Sequence, residues 1–333
     1  MRKKILRRLD SAFVACLFLA ILPVGCSKRE TAKATTVAAG NPIATATNDT
    51  VEIKMRWATG KKYLMRMEAV QSWTPLSPEN QQSMRPTLSL THDYSITAIR
   101  DIPGGGQELE LEFIAQKLMY QVGEMPVLSF DSGQAADQDI GNPVAPVLRK
   151  LMGARVRCIT DAAGEVVTVN GFKELEKRMV GSQADVRSML EMFFNEENLR
   201  QMCDFAASVQ PETAVKIGES WPVHLEMSDP VGLMVLDFSC TFKNWESQAD
   251  RRCARIEYSG NVSSKNAATG PPSSLKINHG EIAGKAWFDP GLQMLVNSAT
   301  EQHLTIETAD KGRTTSTRYD LTLNFKLIRL TDE

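Results

Sequence analysis

Alternation constrains this chain more than any other feature. From Leu88 to Ala98 every second residue (Leu88, Leu90, His92, Tyr94, Ile96, Ala98) is mainly apolar, with Ser89, Thr91, Asp93, Ser95 and Thr97 between them. A period of two sends the two sets to opposite faces of an extended chain, so the segment reads as a strand with one face buried. Leu109, Leu111 and Phe113 alternate with Glu108, Glu110 and Glu112 in the same way, and Pro103-Gly104-Gly105-Gly106 supplies the turn before them. The habit returns in Met234, Leu236, Phe238, Cys240 and Phe242, then in Ile256, Tyr258 and Val262. It continues in Ile282, Ala286 and Phe288, and after the Asp289-Pro290-Gly291 turn in Leu292, Met294 and Val296. Tyr319, Leu321, Leu323, Phe325 and Leu327 close the chain as a clean strand. Consecutive strands joined by short turns predict an antiparallel meander.

The pattern is used twice. GKKYLMRME (Gly60 to Glu68) and GESWPVHLE (Gly218 to Glu226) both read Gly-x-x-aromatic-x-apolar-x-apolar-Glu. Asp93-Tyr94-Ser95-Ile96-Thr97 matches Asp237-Phe238-Ser239-Cys240-Thr241, and Asp161-Ala162-Ala163-Gly164 sits between strands as Asp289-Pro290-Gly291 does. Gly60 and Gly218 are expected to make a turn, with Tyr63 and Trp221 anchoring the core three residues later.

Between the two sets, residues 142–207 read as helical. Asn142-Pro143 is a cap with proline at the first helical position, and Gly153 ends that helix. Phe172, Leu175 and Met179 share a helical face; Val186, Met189, Leu190 and Phe193 make a further apolar stripe, and Leu199, Met202, Phe205 and Ala206 another. The expected fold is mainly β with a minor α part: two similar antiparallel β-meander units joined by short amphipathic helices, as curved sheets or open half-barrels. The units are placed at 51–171, with a short helix near 143–152, and at 208–333, with a helical connector at 172–207.

The N-terminus carries an address. MRKKILRRLD is basic, SAFVACLFLAILPV is apolar, and Gly25-Cys26 follows. That order describes a secretory signal, and the apolar run is shorter than the roughly 20 residues a spanning helix needs. Leu22-Pro23-Val24-Gly25-Cys26 resembles a bacterial lipobox, although Leu stands one place early, with Pro23 in its usual position. The resemblance implies removal of residues 1–25 and lipidation of Cys26, which anchors the chain to a membrane. Ser27 after the cysteine, by resemblance to lipoprotein sorting in two-membrane bacteria, favours the outer membrane, on its periplasmic or surface face. Residues 26–50 are Ala/Thr-rich and read as a flexible tether. Without residues 1–25 the charge is 38 − 5 = 33 basic against 40 − 1 = 39 acidic, a net of −6. That balance argues against nucleic acid as a partner.

Few residues propose chemistry. Cys158, Cys203, Cys240 and Cys253 remain after Cys26, and no CxxC spacing points to zinc. Cys240 and Cys253 flank a turn expected near Trp245–Ala249, so they read either as a cross-strand disulfide, which the envelope permits, or as buried apolar fillers. His92, His224, His279 and His303 form no HExxH or helical i, i+4 pair. Ser273-Ser274-Leu275-Lys276 matches Ser-x-x-Lys but follows Pro271-Pro272 and leads into a strand. Asp131, Asp137 and Asp139 lie in one loop without EF-hand spacing, which favours a solvated acidic loop over a calcium site. No cofactor is expected. Met189, Phe193 and Met202 can line a pocket for an apolar ligand, since adaptable binding surfaces use Met; the plainer reading packs them into the core.

The run Lys54-Met55-Arg56-Trp57-x-x-Gly60-x-x-Tyr63, the hairpin Arg155–Asn170 ending in Val169-Asn170-Gly171-Phe172, and Gly218-Glu219-Ser220-Trp221 together resemble a family of uncharacterised bacterial secreted proteins and lipoproteins, a domain of unknown function. The resemblance spans roughly 51–330 and brings no catalytic residues. The expectation is a non-enzymatic, lipid-anchored envelope protein that binds an envelope protein partner, a lipid or another apolar ligand. The rival is an envelope hydrolase, which needs a cleft where a histidine meets a carboxylate and a nucleophile.

Overall fold

The alternating segments are strands in the structure, a computed structural model that describes residues 49–76, 85–140, 142–179, 196, 200, 209–229, 232–265, 275–310 and 313–332. A short β1 (Thr50–Val51) leads to β2 (Lys61–Pro75), β3 (Pro86–Asp101), β4 (Gln107–Val122) and β5 (Met125–Asp131). Helix α1 (Ala145–Leu151), the hairpin of β6 (Arg155–Thr160) and β7 (Val166–Asn170), and helix α2 (Phe172–Met179) follow. After β8 (Val215–Lys216) come β9 (Ser220–Asp229), β10 (Gly232–Gln248), β11 (Arg251–Lys265), β12 (Leu275–Asp289), β13 (Met294–Asp310) and β14 (Arg313–Asp332).

All long strands join one antiparallel 12-stranded sheet in the order β7-β6-β4-β3-β2-β14-β13-β12-β11-β10-β9, with β5 beside β4. β7 and β9 stand at opposite ends, so among the described residues the sheet does not close into a barrel. β1 and β8, which precede the two openers, pair only with each other. The apolar phase of the strands faces inward and forms one core cluster from Tyr63, Tyr94 and Phe113 to Phe242, Phe288 and Tyr319. A sheet this wide buries one face by twisting and curling around it. The other phase is polar: on β4, Glu108 and Glu110 meet Arg157 and Arg155 of β6 at 3.1–3.3 Å.

The two openers occupy matching register. Gly60 (φ +74°) donates its N–H to Ala98 O at 2.8 Å, and Gly218 (φ +85°) donates to Phe242 O at 2.7 Å. Both glycines are left-handed, the conformation that side chains resist. Tyr63 then pairs with Ile96, and Trp221 with Cys240. Both aromatics are buried, and the Tyr63 hydroxyl accepts the Ala58 N–H at 2.9 Å. Three positions further along each opener an ion pair bridges to the next strand: Arg66 grips Asp93 with two bonds of 2.7 and 2.8 Å, and His224 meets Asp237 at 2.6 Å. The hairpin turns match too. Asp161 Oδ1 accepts the N–H groups of Ala163 and Glu165, and Asp289 Oδ1 those of Gly291 and Leu292. Such Asx turns are why aspartate opens both. In both strand sets a glycine-turn opener, the strand paired with it and a later Asx-turned hairpin follow in the same order. β14 has no counterpart in the first set.

The first helix begins at Ala145, two residues past the expected place, with Val144 as its N-cap. Asn142 Oδ1 accepts the Val144 and Ala145 N–H groups at 3.0 and 3.3 Å, and Gly153 (φ +70°) ends the turn. α1 buries Ala145, Val147, Leu148 and Leu151, and α2 buries Leu175. The stripes at 186–193 and 199–206 lie outside the described residues, as do the signal segment and Cys26.

Candidate functional site

The inward face of the second strand set carries a cavity of about 60 Å³. Leu236 and Phe238 of β10, Ile256 of β11, Ile282 of β12, Leu295 of β13 and Leu321 of β14 form much of its wall. All but Leu295 stand in the apolar phase of their strands, so the alternation paves most of the cavity; the register shift between Trp287 and Phe288 brings Leu295 opposite Phe288, onto the same face. The opposite side is Ile53, Met55, Val209 and Trp221. Three bonds lay those segments across the sheet. Met55 N–H donates to Gln210 Oε1 at 3.1 Å, Arg56 N–H to Gln293 O at 2.9 Å, and Trp221 Nε1–H to Val209 O at 3.0 Å.

Four polar side chains stand in this wall: Ser298, Thr300 and Gln302 of β13, and Tyr258 of β11. The Tyr258 and Thr300 hydroxyls bond each other at 2.5 Å, and burial pushes the phenol up to about 12. Gln302 is 3% exposed, and its Nε2 has no hydrogen-bond partner. A buried donor left unpaired costs about 1–3 kcal/mol. None of the described lining residues is charged. Gln302 was not a candidate on sequence, yet a signal existed: Ser298, Thr300 and Gln302 occupy the phase that Val296, Leu304 and Ile306 fill with apolar groups.

The histidines divide in two. His92 is buried between Tyr94 (ring centroids 5.7 Å apart) and Phe113 (5.4 Å), and its Nε2 has no partner. Burial lowers its pKa to about 4, so the ring is neutral at pH 7. His224, His279 and His303 lie on the outward face. His224 Nδ1 is 2.6 Å from Asp237, and its Nε2 3.6 Å from Glu226; the hydrogen bond that the ring donates to Asp237 is the main cause that raises its pKa. His303 Nδ1 lies 2.6 Å from Asp320, which Arg318 also holds at 3.0 Å, and His279 lies 3.4 Å from Glu281. These three rings are half exposed on the polar side of the sheet, away from the cavity. Both nitrogens of His224 face carboxylates, which orients the ring without giving it a nucleophile to activate.

The Cys240–Cys253 disulfide is not formed. The β10–β11 turn lies at Ala249 and Asp250 (φ +48° and +64°), slightly beyond the expected place. Cys240 therefore sits opposite Tyr258, and Cys253 opposite Glu246. Five register steps separate the cysteines, roughly 16 Å along the ladder, against the roughly 7 Å between Cα atoms that a disulfide tolerates. Both are buried free thiols, pushed by burial up to about 12 and about 11. In the acidic loop, Asp131 is held by Lys117 at 3.0 Å, which keeps its carboxyl below the ordinary range, and Asp139 is held by Arg149. Among the described residues no cluster of His, Cys, Asp and Glu could hold a metal ion. Met189, Phe193, Met202, Cys203, Ser273 and Ser274 lie outside the described residues.

A family model described as a family of unknown function, DUF6263, matches residues 105–311 of the 333. The chain belongs to that family. The DUF6263 match begins in the β3–β4 turn, so it takes in the β6–β7 hairpin and the Gly218 opener and leaves the Gly60 opener before it. No function is attached to DUF6263, so membership assigns no residue a role. No curated protein matches significantly. Among solved structures, a protein inferred to be exported, with a YmcC-like fold, from Bacteroides fragilis is 9% identical over 84% of this chain and 100% of its own, with a TM-score of 0.27. An inferred lipoprotein from Parabacteroides distasonis is 12% identical over 80% and 95%, with a TM-score of 0.24. DynF from the dynemicin biosynthesis pathway of Micromonospora chersina is 6% identical over 89% and 92%, with a TM-score of 0.23. Likenesses this loose carry no function across. No described helix is long and apolar enough to cross a membrane.

Proposed function

We propose that this protein is a non-enzymatic component of the bacterial cell envelope, anchored to the outer membrane through lipidated Cys26, that holds an apolar ligand against the inward face of its second strand set. The observation that carries the reading is the cavity: about 60 Å³, walled by apolar side chains from six strands, with no charged group among its described lining. Ligand sites are concave, mostly apolar and furnished with a few polar groups, and this one has that make-up. The histidine–carboxylate pairs support the non-enzymatic side of the reading, because they stand on the outward face. A hydrolase needs them in a cleft beside a nucleophile.

Hexane titration followed by ligand-detected NMR tests the cavity. The wild type is expected to bind hexane, and Ala286→Leu, which fills space in the lining, to lose most of that binding. Equal binding by both proteins sinks the ligand reading, as does none by the wild type. The anchor is tested separately: Cys26→Ala should move the protein from the membrane to the soluble fraction, and continued membrane retention would remove the anchor from the proposal.

A further inference from the structure

We infer that the cavity selects a slender, neutral acyl group, an ester or an amide, whose carbonyl oxygen accepts a hydrogen bond from Gln302 Nε2. This rests on the ligand-binding reading above and names the chemistry that the ligand must carry. The starting observation is the Gln302 amide: 97% buried, lining an apolar cavity, with Nε2 unpaired. An amide nitrogen only donates, so what completes it is an acceptor. The nearby hydroxyls do not serve: those of Tyr258 and Thr300 bond each other, and no hydroxyl of the lining accepts from Nε2. A water at Nε2 would be displaced by such an acceptor, which takes over its bond.

Charge narrows the class. No Lys, Arg or His stands in the described lining, so a carboxylate or phosphate brought to Gln302 would be an unpaired buried anion. A neutral carbonyl carries the acceptor without that cost. Size narrows it further. A dry cavity of about 150 Å³ takes benzene; this one, at about 60 Å³ and open on one side, takes in only the end of a narrow chain.

The test compares hexane, methyl hexanoate and the hexanoate anion on the full chain carrying Cys26→Ala, so that no detergent competes, with Gln302→Leu and Gln302→Met as variants. Hexane affinity is both the fold control and the measure of apolar binding. The wild type is expected to prefer methyl hexanoate over hexane by roughly tenfold, the factor for one hydrogen bond to a buried group, and to bind hexanoate more weakly than the ester. Both variants should keep hexane binding and lose the ester preference. An undiminished ester preference in variants that still bind hexane overturns the role of Gln302 and leaves the ligand reading standing. Tighter binding of hexanoate than of its methyl ester overturns the neutral class. A wild type that binds neither hexane nor ester overturns the ligand reading, and this inference with it.

Discussion

His92 shows how one residue records its place in the alternation. It falls in the apolar phase of β3, so the strand carries it into the core between Tyr94 and Phe113, where burial lowers its pKa to about 4. The unfolded chain titrates near the ordinary 6.5. Between those values the unfolded state takes up a proton that the folded state refuses. Stability therefore falls as pH drops from about 6.5 to about 4, by on the order of 3 kcal/mol at full effect. Urea unfolding at pH 7 and pH 4 should show this loss in the wild type and a smaller one in His92→Leu; an identical drop in both would locate the titration elsewhere. His224 has the opposite sign. Its raised pKa gives stability below about 6.5 that is lost as pH rises, and the pair is exposed enough for the effect to be small. The burial of His92 was legible from its phase alone. The phase of Gln302 was legible too, but not its unpaired nitrogen, because that depends on what β11, β12 and β14 place around it.

At the scale of elements, glycines separate local from tertiary demands. Gly60 opens β2 with φ +74°, and an added Cβ there meets nothing within 4 Å. Gly60→Ala should therefore cost only the left-handed backbone, about 1–2 kcal/mol. Gly260, in the middle of β11, is held by its neighbours: a Cβ there would lie 2.1 Å from Asp237 O and 2.4 Å from Phe238 Cα. Backbone cannot step aside as a side chain can, so Gly260→Ala should cost about 3 kcal/mol or more. Denaturant titration of the two variants ranks them, and an equal loss would contradict the close approach of β10 to β11. The openers were visible in the sequence because a turn followed by an anchoring aromatic is a local event. Gly260 was not, since the alternation of Ile256, Tyr258 and Val262 simply passes over it. The β10–β11 turn was misplaced for a related reason. Ala249-Asp250 lacks the Asn-Gly signature of a tight hairpin, and the long ladder on either side fixes it instead.

At the scale of the molecule, β14 makes one sheet of two strand sets. It pairs with β13 on one side and with β2 on the other, from Thr317 opposite Pro75 to Asp332 opposite Lys61. Trp73 and Tyr319 meet edge-on across that seam at 6.1 Å. Ending the chain after residue 312 would bare the β2 and β13 edges and remove Tyr319 and Leu321 from the core. Exposed long edges template aggregation. The truncated chain should elute as aggregate in size-exclusion chromatography, and a monomer with native near-ultraviolet circular dichroism would mean that the seam is dispensable. The sequence by itself determined the strands, their buried faces, the two turn-and-aromatic openers and the antiparallel run of neighbours, since period, turn chemistry and short connections are all local. Only the tertiary structure decided that β14 lies against β2, that Cys240 and Cys253 stand too far apart to bond, and that Gln302 faces a cavity with its amide unpaired. The first and the last depend on register between segments distant in the chain, and the second on where the long β10–β11 ladder sets its turn; no local pattern encodes either.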